Sequence, residues 1–421
     1  MDIPQGYKQT ELGIIPEDWE VKSFSQVFDM YPNNTYPRDC MNDSYGAIRN
    51  IHYGDILIKY PTIVDVERCS IPYLNEDVKI KAQKFVQSGD VIIADTAEDE
   101  TVGKCVEIKN AINAKIVSGL HTFFCHPIRI FAIGWWGYYL NSSNYHNQLL
   151  PYITGIKVSS ISRASIQETK LLVPPIAEQK AIAEALGDID GLIATLDKKI
   201  AKKHLIKQGA MQQLLTGKKR LPGFSDPWVE RKLGEIGVWV KGQSLSKNDI
   251  TPNGKNICIH YGELFSYGEV ITSPISRTNS QPITISLGNE ILFPDSDVTP
   301  DGLGRCSALL MKDVIIGSGV NILRHNPLYD TSFVSYSINA NRSKIIDRVT
   351  GTTVKHINSK ELSEVVIEIP KNKDEQIAIA TMLNDMDKEI DDLEAQRDKY
   401  RLLKSGMMQK LLTGQIRLKI K

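Results

Sequence analysis

A chain of 421 residues with 50 Lys and Arg against 50 Asp and Glu has no net charge at pH 7, which sets it apart from a strongly basic module that binds DNA alone. Its opening Met1-Asp2-Ile3-Pro4 has neither the basic nor the apolar region of a signal peptide, and its most apolar stretch, 128–140, is too short to span a bilayer. Six cysteines, at 40, 69, 105, 125, 258 and 306, fit neither a CxxC pair nor a zinc knuckle, so they read as reduced thiols in a cytoplasmic protein with no membrane role.

In chain order, the first segment (1–175) opens with turn residues and aromatics, GYKQTELGIIPEDW. Short β-rich runs with Gly and Pro punctuation follow, with a helix predicted near 131–149. After a long helix the pattern restarts: LPGFSDPW at 221–228 aligns Trp228 with Trp19. Ile51-His52-Tyr53-Gly54-Asp55 is echoed by Ile259-His260-Tyr261-Gly262-Glu263, and Gly103-Lys104-Cys105 by Gly304-Arg305-Cys306. Ser118-Gly119-Leu120-His121 aligns with Ser318-Gly319-Val320-Asn321, and Thr154-Gly155 with Thr350-Gly351. Residues 60–88 and 265–287 share little. Each segment is large enough for its own core and reads as an α+β domain.

Two stretches of 45 residues, 177–221 and 374–418, align without a gap and match at about 22 positions, so the chain carries an internal duplication. Ile182, Leu186, Ile189, Ile193, Leu196 and Ile200 recur at alternating spacings of four and three; Ile379, Leu383, Met386, Ile390 and Leu393 do the same. This is a coiled-coil seam, and about 38 residues of helix rise about 57 Å. Pro174-Pro175 opens the first helix, Asp374 is the predicted N-cap of the second, and Leu-Thr-Gly closes both. The middle of the first helix is basic (Lys198, Lys199, Lys202, Lys203, Lys207), and the first half of the second is acidic (Asp385, Asp387, Glu389, Asp391, Asp392, Glu394). Antiparallel pairing sets opposite charges together at both ends. The expected boundaries are 1–175 and 218–372 for the globular domains, 176–217 for the first helix, and 373–421 for the second helix with its tail. The expected fold is α+β: two globular α/β domains related by a pseudo-two-fold axis and separated by the antiparallel coiled coil.

Catalytic motifs are missing. Val173-Pro174-Pro175-Ile176 lacks the polar residue of an amino-methyltransferase tetrapeptide, and no GxxxxGK[ST] loop occurs. Gly317-Ser318-Gly319 reads as a strand turn. Asp295, Asp297 and Asp301 sit among Pro and Gly and read as a solvated turn over a metal site; no His pair has ligand spacing. Groups suited to base edges and phosphates are present in both segments. In the first they are Arg49, Asn50, His52, Tyr53, His121, Lys157 and Arg163. In the second they are His260, Tyr261, Arg277, Asn279, Arg305, Asn321, Arg324, Lys355 and His356. The repeated His-Tyr-Gly reads equally well as a fold-defining turn.

The paired EQ-x-AIA and LLTG helices, with the entry motifs TELGIIPEDW and LPGFSDPW, resemble the specificity subunit of type I restriction–modification systems. The resemblance implies two target recognition domains reading a bipartite, asymmetric site in double-stranded DNA. It implies helices that space the domains and dock two modification subunits, and restriction subunits through them. Methyl transfer from S-adenosylmethionine belongs to those partners, so this chain is expected to be noncatalytic, with no cofactor or metal of its own. Docking residues implied on the helices are Gln179, Gln376, Met211, Met408, Leu214 and Leu411. Arg397, which stands on the seam where the first helix has Ile200, marks a further point where a partner would pack. The rival readings are part of a fused restriction–methylation enzyme, which the missing motifs oppose, and a coiled-coil scaffold without a DNA role. The scaffold gives no reason for two related heads to diverge.

Overall fold

The structure, a computed structural model, describes residues 3–78, 84–155, 157–281 and 283–418. The chain forms two compact units, Met1–Asp197 with Gln396–Lys421, and Lys198–Ala395. Each unit contains one globular head and parts of both long helices.

The head of the first unit is built on a five-stranded sheet in the order Phe28–Tyr31, Thr122–Pro127, Val91–Ala94, Cys105–Lys109, Ile63–Asp65. The central strand Val91–Ala94 is buried at every position, as expected where both faces are covered. The second unit repeats this sheet as Gly237–Lys241, Val320–His325, Glu290–Pro294, Ser307–Leu309, Val270–Ile271. In both, the last strand joins in parallel and the others antiparallel.

The second sheets share only a parallel pair, Arg49–Ile51 with Ile116–Ser118 in one and Asn256–Ile259 with Lys312–Ile316 in the other. Their remaining strands come from different places. Tyr73–Leu74 and Met41–Asn42 extend one sheet; Ser276–Thr278 and Ile285–Leu287 flank the other. The dissimilar stretches of sequence therefore fall where the architecture differs.

A two-stranded ribbon closes each head. Glu20–Ser23 pairs with Lys170–Val173, and Trp228–Lys232 with Val366–Pro370, so the chain leaves each head beside its point of entry. The helices that follow run Ile176–Leu214 and Lys373–Leu411. The second is capped by Asn372, whose Oδ1 accepts from the Asp374 amide at 2.8 Å; Asp374, the expected cap, lies in the first turn. An amide side chain two residues earlier competes successfully for the same orphan donor. Both helices end as expected, with Gly217 (φ 64°) and Gly414 (φ 70°) in the left-handed conformation.

The seam residues Ile182, Leu186, Ile379, Leu383, Ile390, Leu393 and Ile200 are buried, and Ile189, Ile193, Leu196 and Met386 are half-buried. Ion pairs fix the direction of pairing within each unit. In the second unit Lys207 meets Asp387 and Lys203 meets Glu389. In the first, Asp190 meets Lys404 at 2.6 Å and Asp197 meets Arg397 at 3.7 Å. One number falls as its partner rises, so the helices are antiparallel. Each exposed pair adds only about 0–1 kcal/mol; the apolar seam supplies the cohesion.

Each of the expected docking residues makes contacts within its own unit. Gln179 and Gln376 are buried, each donating to a proline carbonyl, Pro174 and Pro370 (both 2.8 Å), and accepting from a head amide, Ala132 and Asp330. They lock each helix to its own head. Leu214 and Leu411 are buried in the head cores, and Met211 and Met408 pack against them. Arg397 fills its seam position with ion pairs to Asp197 and Asp398.

A matched tether closes each unit. In the first, the Glu178 carboxylate accepts from Trp19 Nε1 (2.9 Å) and from Arg417 (2.8 and 2.7 Å), which also holds Asp18. In the second, Arg220 donates to Glu375 at 2.6 and 2.7 Å.

Candidate nucleic-acid interface

At one end of each head, four turns are stitched together by backbone hydrogen bonds. In the first unit these are Gly119 N to Ile51 O (2.8 Å), Asp95 N to His121 O (3.2 Å) and Ile161 N to Asp95 O (2.9 Å). The second unit repeats them as Gly317 N to Ile259 O (2.9 Å), Asp295 N to Gly319 O (3.0 Å) and Ile357 N to Asp295 O (3.1 Å). The equivalent of His121 is therefore Gly319, and the Ser-Gly alignment read from sequence is two residues out of register. Both residues have positive φ, 54° and 82°. A side chain at Gly319 would meet the Tyr261 ring at 3.0 Å, which is why this copy carries glycine.

The repeated His-Tyr-Gly is a fold-defining turn in both units. His52 and His260 each accept the amide proton two residues on, from Gly54 and Gly262, through Nδ1 at 3.2 Å. Burial, followed by the charge on Arg38, lowers the His52 pKa and favours the neutral ring that this acceptor role needs. The tyrosines stay half-buried, and Tyr53 lies edge-on to His121 with centroids 5.3 Å apart.

In the first unit the exposed His121 ring stands beside the Asp95 carboxylate (3.2 Å) and the Thr96 hydroxyl (3.3 Å). Asn33 donates to Gly119 O at 3.0 Å, bringing a fifth segment to the cluster. The second unit offers a different surface on the same frame. Ser244, Ser246, Lys247, Asp249, His260 and Tyr261 line a cleft of about 500 Å³ there. Lys241 pairs with Asp295 at 3.0 Å, and His356 is exposed on the strand beside Ser296. Donors and acceptors of this kind suit base edges and phosphates.

A hairpin stands next to each cluster, bridged at Thr154–Ser160 and Thr350–His356. Gly155 and Gly351 turn them with φ of 115° and 101°, where a side chain would collide with the Val158 or Val354 carbonyl. Lys157 is exposed on the first hairpin; Lys355 is tied into its own, donating to the Gly351 and Thr352 carbonyls (2.8 and 2.9 Å).

Several expected contacts are instead built into the heads. Asn50 is fully buried, accepting from Asn34 at 2.6 Å. Asn321 is buried within its strand and donates to Ile357 O. Arg49 donates to Val66 O and Tyr73, Arg324 holds Glu290 and Ile285 O, and Arg305 donates to the Phe265 and Tyr267 carbonyls at 2.8 Å. A guanidinium with carbonyls in reach satisfies its donors internally, which sequence alone does not reveal. Arg163 is exposed and donates to Met30 O. Arg277 and Asn279 are exposed on and after an edge strand, held to the turn at 254–255 and not to the stitched turns. Asp95, Thr96 and Ser296 were missed by sequence reasoning and Asp295 was read only as part of a solvated turn, although the echo of IIADT and LFPDS would have found them. Among the described residues no group of His, Cys, Asp and Glu is arranged to hold a metal, and no helix is long and apolar enough to cross a membrane.

A model of the type I restriction modification DNA specificity domain matches residues 225–400. The chain is 26% identical, over an alignment of 437 positions, to a Methanocaldococcus jannaschii protein named as the specificity subunit of the type I restriction enzyme MjaX, covering 99% of this chain and 97% of that one. It is 24% identical over 286 positions to the type I restriction enzyme MjaVIII specificity subunit of the same organism, covering 63% and 66%. Its fold is similar to that of the type-I restriction-modification system S subunit from M. genitalium, with a TM-score of 0.60, 13% identity and 98% of each chain covered. Residues 225–400 thus match a type I restriction modification DNA specificity domain, and over nearly its whole length the chain is similar to a type I restriction enzyme specificity subunit.

Proposed function

We propose that the chain reads a bipartite, asymmetric site in double-stranded DNA, one half with each head, and performs no catalysis itself. What supports this is one frame presenting two surfaces: the same stitched turns carry His121 and Thr96 in one unit and Gly319 and Ser296 in the other, where Lys241 and Lys247 stand beside them. In this reading the long helices dock two modification subunits, which bring S-adenosylmethionine, and through them the restriction subunits, in the cytoplasm. The docking surface lies on exposed helix positions, not on the buried Gln179 and Gln376.

The test is a map of N6-methyladenine in cells carrying the complete system. The expected map is split, with two unlike half-sites at a fixed gap. His121→Ala is expected to weaken discrimination in one half-site by about 1–3 kcal/mol, the scale of a base contact, and to leave the other unchanged. Lys247→Ala should do the converse, or weaken binding uniformly if it meets phosphate. A change in both halves from either substitution sinks the one-head, one-half reading.

A further inference from the structure

The two heads hold one carboxylate in common at their stitched turns. Asp95 and Asp295 occupy the same place in the backbone network, and each accepts from the hydroxyl of the next residue, Thr96 at 2.7 Å and Ser296 at 3.1 Å. The remaining partner differs. In the second unit the carboxylate takes the Lys241 ammonium at 3.0 Å. The matching strand of the first unit ends at Tyr31, and Pro32 follows where Lys241 stands, so the Asp95 carboxylate faces the His121 ring instead.

Two observations mark that ring as a reader. It hangs from a left-handed residue (φ 54°), a conformation that glycine takes without steric cost and does take at Gly319. A side chain is therefore kept where the turn does not ask for one. The ring is also gripped on one side and open on the other. Tyr53 lies edge-on to it, and Asp95 Oδ1 and Thr96 Oγ1 stand 3.2 and 3.3 Å from Nδ1, while 47% of the side chain faces solvent.

The contacts at Nδ1 decide where the hydrogen sits. A carboxylate only accepts, and Thr96 gives its own proton to Asp95, so both neighbours of Nδ1 are acceptors. Nδ1 then carries the hydrogen, and the neutral ring keeps a lone pair on Nε2, which makes no hydrogen bond among the described residues. We propose that Asp95 positions His121 as an acceptor, with Nε2 taking a hydrogen bond from the exocyclic amine of adenine or cytosine in the major groove. The inference rests on the reading of one half-site by this head and names the chemical group that is read. Lys241, held by the equivalent carboxylate, has only protons to offer, so one frame presents opposite polarity in the two heads.

The experiment uses the full chain with its own modification subunits, on the DNA site that the methylation map defines. His121→Ala identifies the base pair this ring reads, as the one whose discrimination is lost. At that pair, purine in place of adenine, or pyrimidinone in place of cytosine, removes the amine. Wild-type binding should weaken at least about fivefold, and binding by His121→Ala should not change. An analogue with carbon in place of purine N7 should leave both unchanged. Asp95→Ala should relax the same base pair and add nothing to His121→Ala. Nitrogen magnetic resonance of the histidine-labelled full chain supplies the readout that a merely structural role would not move. The His121 ring should carry its hydrogen at Nδ1 in wild type and in Asp295→Ala, and lose that preference in Asp95→Ala. The base analogues and the wild-type spectrum decide the matter even where Asp95→Ala disturbs the turn. A wild-type ring with its hydrogen at Nε2, or a loss on N7 replacement and none on amine removal, overturns the proposal and leaves reading by the head intact. Wild-type discrimination in both half-sites for His121→Ala removes the reader itself, and with it the reading by these turns.

Discussion

Arg417→Met is expected to destabilise the first unit by about 3 kcal/mol, the low end of the range for removing one partner of a buried ion pair. Glu178 is fully buried, and two guanidinium hydrogen bonds, at 2.8 and 2.7 Å, compensate its charge. The low end applies because Trp19 Nε1 would still donate to the stranded carboxylate. Arg220→Met in the second unit should cost at least as much, because Trp228 makes no such bond to Glu375. Hydrogen exchange, which resolves the units, is the measurement, because a chain of two units need not unfold in one step. Adding Glu178→Gln to Arg417→Met should recover much of the loss, since a neutral amide is cheaper to bury than an unpaired carboxylate. A loss under about 1 kcal/mol for Arg417→Met would reduce the pair to a surface bridge.

That tether shows what the sequence could and could not disclose. The EQ and LLTG motifs were plain because duplication repeated them, and their helical period and charge gave long helices of a definite direction. Their partners were not legible: glutamate and arginine lie 239 positions apart in sequence in the first unit and 155 in the second. Exposed-looking Gln179 and Gln376 proved to be locks because hydrogen bonding to a head carbonyl depends on where the head's loops pass.

In the heads, the β-rich character and the cores were readable from apolar runs. The candidate interface was less so. Short echoes such as Ser-Gly recur by chance, and only backbone pairing showed that His121 and Gly319 hold equivalent places in their own heads. A left-handed residue is called for there by the turn, and either glycine or a tolerated polar residue meets it. Arg305 and Arg324 have the right chemistry for DNA, but nearby carbonyls and an acid claim their donors first. Residue type shows what a group is able to bind; the fold decides which groups still have donors to offer.

Glu107→Gln is expected to remove a pH dependence of stability from the first unit. Glu107 lies on the strand Cys105–Lys109, and its Oε2 accepts the Gly137 amide at 2.7 Å. Burial pushes its pKa from an ordinary 4.5 up to about 7, against the lowering effect of the amides of Gly137, Gly134 and Trp136. The unfolded chain releases this proton near 4.5 and the folded chain near 7. Between those values the folded state binds more protons, so its stability falls as pH rises through the window and changes no further above it. At 1.36 kcal/mol per unit the loss is about 3 kcal/mol. A glutamine keeps an acceptor for the Gly137 amide and has no charge to strand, so the variant should hold nearly constant and exceed wild type at pH 8. Ala308 occupies the equivalent register in the second unit, making that head the internal control. The strand pairs with Val91–Ala94, which runs directly into Asp95. Corrected for the intrinsic pH dependence of exchange, the protection factor of the Asp95 amide, which donates to His121 O, should therefore fall between pH 5 and pH 8 in wild type and stay level in the variant. If both proteins follow one curve, the carboxyl is ionised throughout and the turn does not feel it.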